Sequence, residues 1–199
     1  GGFGAHYGRS IAGSVEVRSR PAKGDRLSGK IDVDLLDSGF RLEGPVAGRN
    51  DLSFGLSGRR SYIDVLLPLA TGVVGGPDVS IQPIYWDYQA RLDYKRGGTR
   101  AGLRMYGYDD VLVLAAKDDD AARRNGEPPG LGIHGGVHRL VADGRTKLSK
   151  PLELKGLIFL GYQFTGGEFG EDIYWDAGIY ELGVRSDLKY NFSKETHLT

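Results

Sequence analysis

Alternate residues from Trp86 to Tyr94 belong to two chemical sets. Trp86, Tyr88, Ala90, Leu92 and Tyr94 are apolar or amphipathic, whereas the interleaved Asp87, Gln89, Arg91 and Asp93 are charged or polar. A β-strand turns successive side chains to opposite faces, so this stretch reads as a strand between two different environments. The same period of two recurs almost throughout. In "SGKIDVDLL", Gly29, Ile31, Val33 and Leu35 alternate with Lys30, Asp32 and Asp34; in "GFRLEGPV", Phe40 and Leu42 alternate with Arg41 and Glu43. Leu52, Phe54 and Leu56 mark a third strand, and the Trp86–Tyr94 stretch with Leu103 and Met105 opposite Arg104 and Tyr106 gives a fourth and fifth. "HRLVADGRTKLS" sets Leu140 and Ala142 against Arg139, Asp143 and Arg145; "LELKGLIFLGYQF" and "YELGVRSDLKYNF" supply a seventh and eighth, the last opposing Leu182 and Val184 to Arg185 and Asp187. Helical periodicity is nearly absent, and the fold class expected is all-β.

Composition narrows the class further. The 199 residues are 40% hydrophobic and 26% charged, which fits neither a disordered chain nor a helical membrane protein. Lys+Arg and Asp+Glu stand at 26 each, so the overall charge gives no reason to expect a nucleic-acid partner. There is no cysteine, hence no disulfide framework and no thiolate metal site. With 32 glycines and 11 tyrosines, the bias is towards turns, thin strand positions and interfacial rings. No apolar run reaches the ~18 residues of a spanning helix, and "GGFGAHYGRS" has no basic-then-apolar leader, so the chain is expected to begin as a mature or cut segment.

The connections alternate in length. "AGRN", "KRGG", "SKPLE" and "SKETH" are short and polar, and a tight turn at Asp37–Ser38 joins the first pair; Ser61–Gln82, Asp109–Val137 and Thr165–Trp175 are longer. Outer-membrane barrels have short turns at one rim and long loops at the other. A soluble lipocalin-like barrel alternates too, with its polar face outward, and alternation alone does not say which face is which. The rings favour the membrane: Trp86, Tyr88, Tyr94, Tyr162, Tyr190 and Phe192 cluster at strand ends, where a lipid interface takes amphipathic side chains. The opposite face carries Asp87, Gln89, Arg91, Asp93, Arg104, Arg139, Asp143, Arg185 and Asp187, too many charges for a dry core and natural in a wet or plugged lumen. The expected architecture is an antiparallel up-and-down transmembrane barrel.

A family resemblance enters at "GGFGAHYGRSIAGSVEVRSRP", Gly1–Pro21, which resembles the end of the plug domain in TonB-dependent outer-membrane receptors. "FRLEGPVAGRNDLSFGLSGRR" resembles that family's second and third barrel strands, and "YWDYQARLDYKRGGTRAGLRMYGYDD" its fourth and fifth. The resemblance implies residues 1–24 as the end of the plug and its linker, and 25–199 as the first eight or so strands of a barrel of about 22. At about 25 residues per strand and connection, such a barrel needs roughly 550 residues, so the chain is expected to be a segment of a larger or split receptor. The rival is a self-contained eight-strand barrel in which strand eight closes on strand one. The resemblance further implies uptake of a scarce solute through a plugged lumen, with outer-membrane lipid around the barrel, the TonB complex coupled through the rest of the plug, and no catalysis or cofactor of its own. It also implies that Arg9 bridges plug to wall through Asp32, Asp34 or Glu43. A surface barrel that has lost transport is the alternative, with the apolar Ser61–Ser80 stretch as its contact for a partner protein.

Other motifs carry less. "GLGIHG" at Gly130–Gly135 follows "EPPG" rather than a strand and opens no helix, and "GDRLSGK" at Gly24–Lys30 has Ile31 where a P-loop needs Ser or Thr. His134 and His138 lie about 13 Å apart in extended chain at about 3.3 Å per residue, too far to share a zinc ion, and both are expected to be solvated. The long loops are the expected place of cargo capture, with Asp109, Asp110, Asp118, Asp119, Asp120 and His134 as candidates; the aspartate triplet before "AARR" reads first as the N-terminus of a short helix.

Overall fold

The computed structural model describes residues 20–66, 79–116, 131–169, 173–192 and 197–198, with backbone only at 79–82, 114–116 and 197–198. These residues form one antiparallel sheet whose strands follow one another in chain order. The strands are β1 (Ser28–Val33), β2 (Asp37–Pro45), β3 (Leu52–Ser61), β4 (Val79–Arg96), β5 (Thr99–Ala116), β6 (Leu131–Lys147), β7 (Leu152–Phe169), β8 (Ile173–Asn191) and the short β9 (His197–Leu198). The fold is an all-β up-and-down meander, as the alternation requires. Among the described residues β1 pairs only with β2, and β8 with β7 and β9, so strand eight does not close on strand one.

Register carries the period of two across the whole sheet. Leu42, Leu56, Ala90, Met105, Leu140, Leu160 and Leu182 are successive cross-strand neighbours in one row. Phe54, Leu92, Leu103, Ala142, Ile158 and Val184 form the next row on the same face. A slip of one residue in any strand would place its charges in these rows, which pins the register. The face is not covered by a second layer: Leu182, Val184 and Tyr180 are 68%, 73% and 82% exposed, and Val141, on the other face, is the one buried hydrophobic among the described residues. The buried polar side chains are Glu43, Ser53, Ser61 and Glu153, all on the charged face. The distribution is the reverse of a water-soluble sandwich, in which the apolar face is the hidden one.

Strand boundaries correct the sequence reading in three places. The first turn lies at Asp34–Leu36 and not at Asp37–Ser38, because the Asp34 carboxylate accepts the Leu36 and Asp37 amides at 2.8 and 2.9 Å and closes the chain there. Leu35 is therefore a turn residue, and Asp37 already pairs with Ser61. Strands β5 and β6 run well past Asp109 and before Val137, and β7 and β8 leave only residues 170–172 between them where a long loop is expected from Thr165 to Trp175. The glycines that suggest loops, such as Gly135, Gly166 and Gly167, instead sit in the ladder, and at two of them bulky neighbours fill the space: a Cβ on Gly166 would lie 2.5 Å from the His134 ring, and one on Gly167 2.8 Å from Trp175 Nε1. Residues 46–51, 97–98 and 148–151 are short turns at one end of the sheet, with Gly48 and Gly97 at φ 74° and 56° as tight hairpins demand. The opposite end holds the two longest connections, 62–78 and 117–130. The apolar Ser61–Ser80 stretch contributes a helical turn at 63–66 before passing outside the described residues.

Candidate functional site

The charged face carries more arginine than cross-strand pairing tolerates unaided. Arg91 lies directly opposite Arg104, Arg100 opposite Arg145, and Arg145 opposite Lys155. Like charges in direct register repel, so each needs a carboxylate within reach on the same face. Arg91 holds Asp93, its neighbour two positions along β4, through two bonds of 2.7 Å. Arg104 reaches diagonally to Asp143. Arg139 stretches over Gly161 to Glu181 at 2.7 Å, a span that works because Gly161 puts no side chain between them. Arg145 takes Glu153 at 2.7 Å, Arg185 takes Asp187 at 3.2 Å, and Arg59 takes the directly opposed Asp87 at 2.8 Å. Asp87, Gln89, Arg91, Asp93, Arg104, Arg139, Asp143, Arg185 and Asp187 thus all lie on this face, and most are knit into one ion-pair lattice.

Residues 20–23, just before β1, lie across this lattice. Arg20 Nη2 donates to Glu43 Oε1 at 2.8 Å, the Lys23 amide to Glu43 Oε2 at 3.3 Å, and the Ala22 amide to Asp93 Oδ2 at 3.0 Å. The Arg91 guanidinium donates to the Arg20 carbonyl. A segment with no strand partner thereby satisfies its backbone on side chains of β2 and β4. Its contacts use Glu43, whereas Asp32 is paired with Lys30 and Asp34 is spent on its own turn. Arg9 lies outside the described residues. Arg20 and Asp93 as contact residues escaped the sequence reading, since nothing in "RSRP" says which strand it crosses.

The apolar face is bounded by rings at two levels. At the end of the long connections, Trp86 and Tyr88 stack at 5.7 Å, Tyr88 and His138 at 6.0 Å, His138 and Phe164 at 6.0 Å, Phe164 and Tyr162 at 5.6 Å, and Tyr162 and Tyr180 at 4.6 Å. This continuous belt crosses four strands, β4 and β6–β8; Gly107 supplies the row position on β5. Near the short turns, Tyr94 stands opposite Leu52 and Tyr190 opposite Leu152, with Phe192 packed edge-on to Tyr190 at 4.7 Å. His138 corrects the expectation of a solvated side chain: Nδ1 is 3.0 Å from Tyr88 Oη and Nε2 3.4 Å from Asp109. Its place in the belt was legible only through its register with Tyr162.

Asp109, Asp110 and His134 are strand residues of β5 and β6, not loop residues, and Asp118, Asp119 and Asp120 lie outside the described residues. Asp110 faces the charged side, and Asp109 and His134 the belt side. Two cavities open mainly on the charged face. One of about 620 Å³ lies among Arg41, Glu43, Arg91, Arg104 and Arg139 under the 20–23 segment, and one of about 890 Å³ lies towards the long connections around Tyr85, Tyr108 and Asp110.

No protein-family model matches the chain, and neither the curated proteins nor the solved structures compared with it give a significant match.

Proposed function

We propose that this sheet is part of the wall of an outer-membrane β-barrel whose lumen is plugged, and that residues 20–23 belong to the linker between plug and wall. The observation that carries the reading is the exposed apolar face between two aromatic belts. Tyr180 and Tyr190 are ten positions apart on β8. At about 3.3 Å per residue and a strand tilt of about 40°, that is about 25 Å along the membrane normal, the height of the apolar band of an outer-membrane barrel. On the neighbouring β7, Tyr162 and Leu152 are likewise ten positions apart and pair with Tyr180 and Tyr190. In this reading the ion-pair lattice faces water and plug, where charges keep their solvation, and the strands continue beyond the upper belt into the medium.

The reading extends to uptake of a scarce solute with TonB-coupled energy, the role implied by the resemblance of Gly1–Pro21 to a plug terminus. The 20–23 contacts support it, because a linker anchored on the lumen face is what a plug inside the barrel requires.

Trp86 tests it directly. In vesicles containing lipids brominated at defined depths, a Trp175→Phe variant should show Trp86 quenched most by bromines near the headgroups. Trp86 fluorescence indifferent to brominated lipid would overturn the membrane reading.

A further inference from the structure

At the level of the upper belt and beyond it, the charged face changes character. Tyr85 and Asp87 on β4 stand directly opposite Asp110 and Tyr108 on β5, so two phenol rings and two carboxylates alternate like a checkerboard. The next strand presents Gly135 beside Asp110 and Val137 beside Tyr108. Gly135 leaves the flank of the Asp110 carboxylate open, and the cavity of about 890 Å³ lies there, with Leu112, Ile133 and Ile179 completing an apolar wall. That volume suits a small molecule.

The charges of this checkerboard do not balance. Arg59 is the only cation lining the cavity among the described residues, and it is already committed: its Nε donates to Asp87 at 2.8 Å, its Nη1 stands 3.8 Å from Asp37, and its guanidinium lies 5.5 Å from the Tyr85 ring centre. Tyr85 Oη is likewise spent on Asp37 at 3.1 Å. Asp110 accepts no hydrogen bond and makes no ion pair among the described residues, while Tyr108 stands beside it 43% exposed. Desolvation, then the nearby Asp109 and Asp87, holds the Asp110 carboxyl above the ordinary range against a smaller opposing effect of the Arg59 charge. Asp110 itself is exposed, and an exposed carboxylate beside ring faces, lining a largely apolar cavity, is the chemistry that recognises an organic cation, which gains the ion pair and the ring quadrupole together.

We propose that this cavity binds an organic cation with an apolar body, an amine or quaternary ammonium compound, with Asp110 as counter-ion and the Tyr108 and Tyr85 rings as walls. The assignment deepens the proposed function, since its standing as a cargo site rests on the lumen reading; the cavity chemistry itself does not.

Benzyltrimethylammonium is a suitable probe, titrated calorimetrically into the full-length protein in nonionic detergent, with benzenesulfonate as an anion of similar bulk. The expected result is saturable binding of the cation, none of the anion, and weakening by about tenfold or more in Asp110→Asn, with a smaller loss in Tyr108→Leu. Equal binding of both probes, no binding of the cation, or an unchanged affinity in Asp110→Asn with native circular dichroism would overturn it. Trp86 quenching by brominated lipid, measured on the same preparation after reconstitution, reports the membrane reading separately, so either can fail without the other.

Discussion

Glu43 receives the Arg20 guanidinium on one carboxylate oxygen and the Lys23 amide on the other, across separations of 23 and 20 residues in the chain. One side chain of β2, itself only 6% exposed, thus fastens a segment that belongs to no strand. Glu43→Gln would keep one acceptor and remove the charge; Glu43→Ala would leave the Lys23 amide without its partner. Cleavage by trypsin after Lys23 in the folded protein should quicken several-fold in Glu43→Ala and less in Glu43→Gln, with cleavage in the Lys95–Arg100 turn unchanged. Equal protection in all three proteins would show that the segment is held by something else.

Val184 is 73% exposed and lies near the middle of the apolar face, four positions from Tyr180 and six from Tyr190. In water, Val184→Arg would be nearly neutral, as exposed substitutions are, within about 0.5 kcal/mol. Facing lipid at the middle of the bilayer, the same change should cost about 2–4 kcal/mol. Denaturant unfolding of the protein refolded into vesicles separates the two, and Arg185→Leu on the opposite face gives the comparison for loss of an ion pair on the charged face.

Phe159 lies across Gly183, its direct cross-strand neighbour, so closely that a Cβ at position 183 would overlap the ring. Gly183→Ala should therefore destabilise by about 1–3 kcal/mol through overpacking. At Gly156 the nearest atom to an added Cβ is the Arg185 carbonyl oxygen at 4.0 Å, so Gly156→Ala should stay within about 0.5 kcal/mol. Pairing Gly183→Ala with Phe159→Leu should recover part of the loss, and a purely additive double variant would show that the ring is not the cause.

The β1–β2 turn should respond to pH. Hydrogen bonds from the Asp37 and Leu36 amides, aided by the charge of Arg59, hold the Asp34 carboxyl below its ordinary range against a smaller opposing effect of desolvation. A depressed folded-state pKa means that the contribution to the turn is present above the unfolded carboxylate pKa and is lost as pH falls through the folded one. Amide exchange at Leu36 and Asp37, corrected for intrinsic rates, should gain less protection below that point, and Asp34→Asn should flatten the dependence. Retention of the same pH profile in Asp34→Asn would assign it to another group.

The period of two by itself determined the run of strands, their order of faces and the placing of Asp87, Arg91, Asp93, Arg104, Arg139, Asp143, Arg185 and Asp187 on one side, because a pleated strand leaves no other choice for alternating side chains. It also marked the hairpin at Gly97–Gly98, where positive φ needs glycine. Only the tertiary structure decided how far the strands run: Gly166 and Gly167 look like loop residues until His134 and Trp175 of the neighbouring strands occupy the space they leave. It decided that Glu43 and Asp93, among many carboxylates, meet residues 20–23, since a contact across 71 residues has no local trace. And it decided that Tyr85, Tyr108 and Asp110 share a cavity, because register between strands, and not spacing along one, sets which side chains are neighbours.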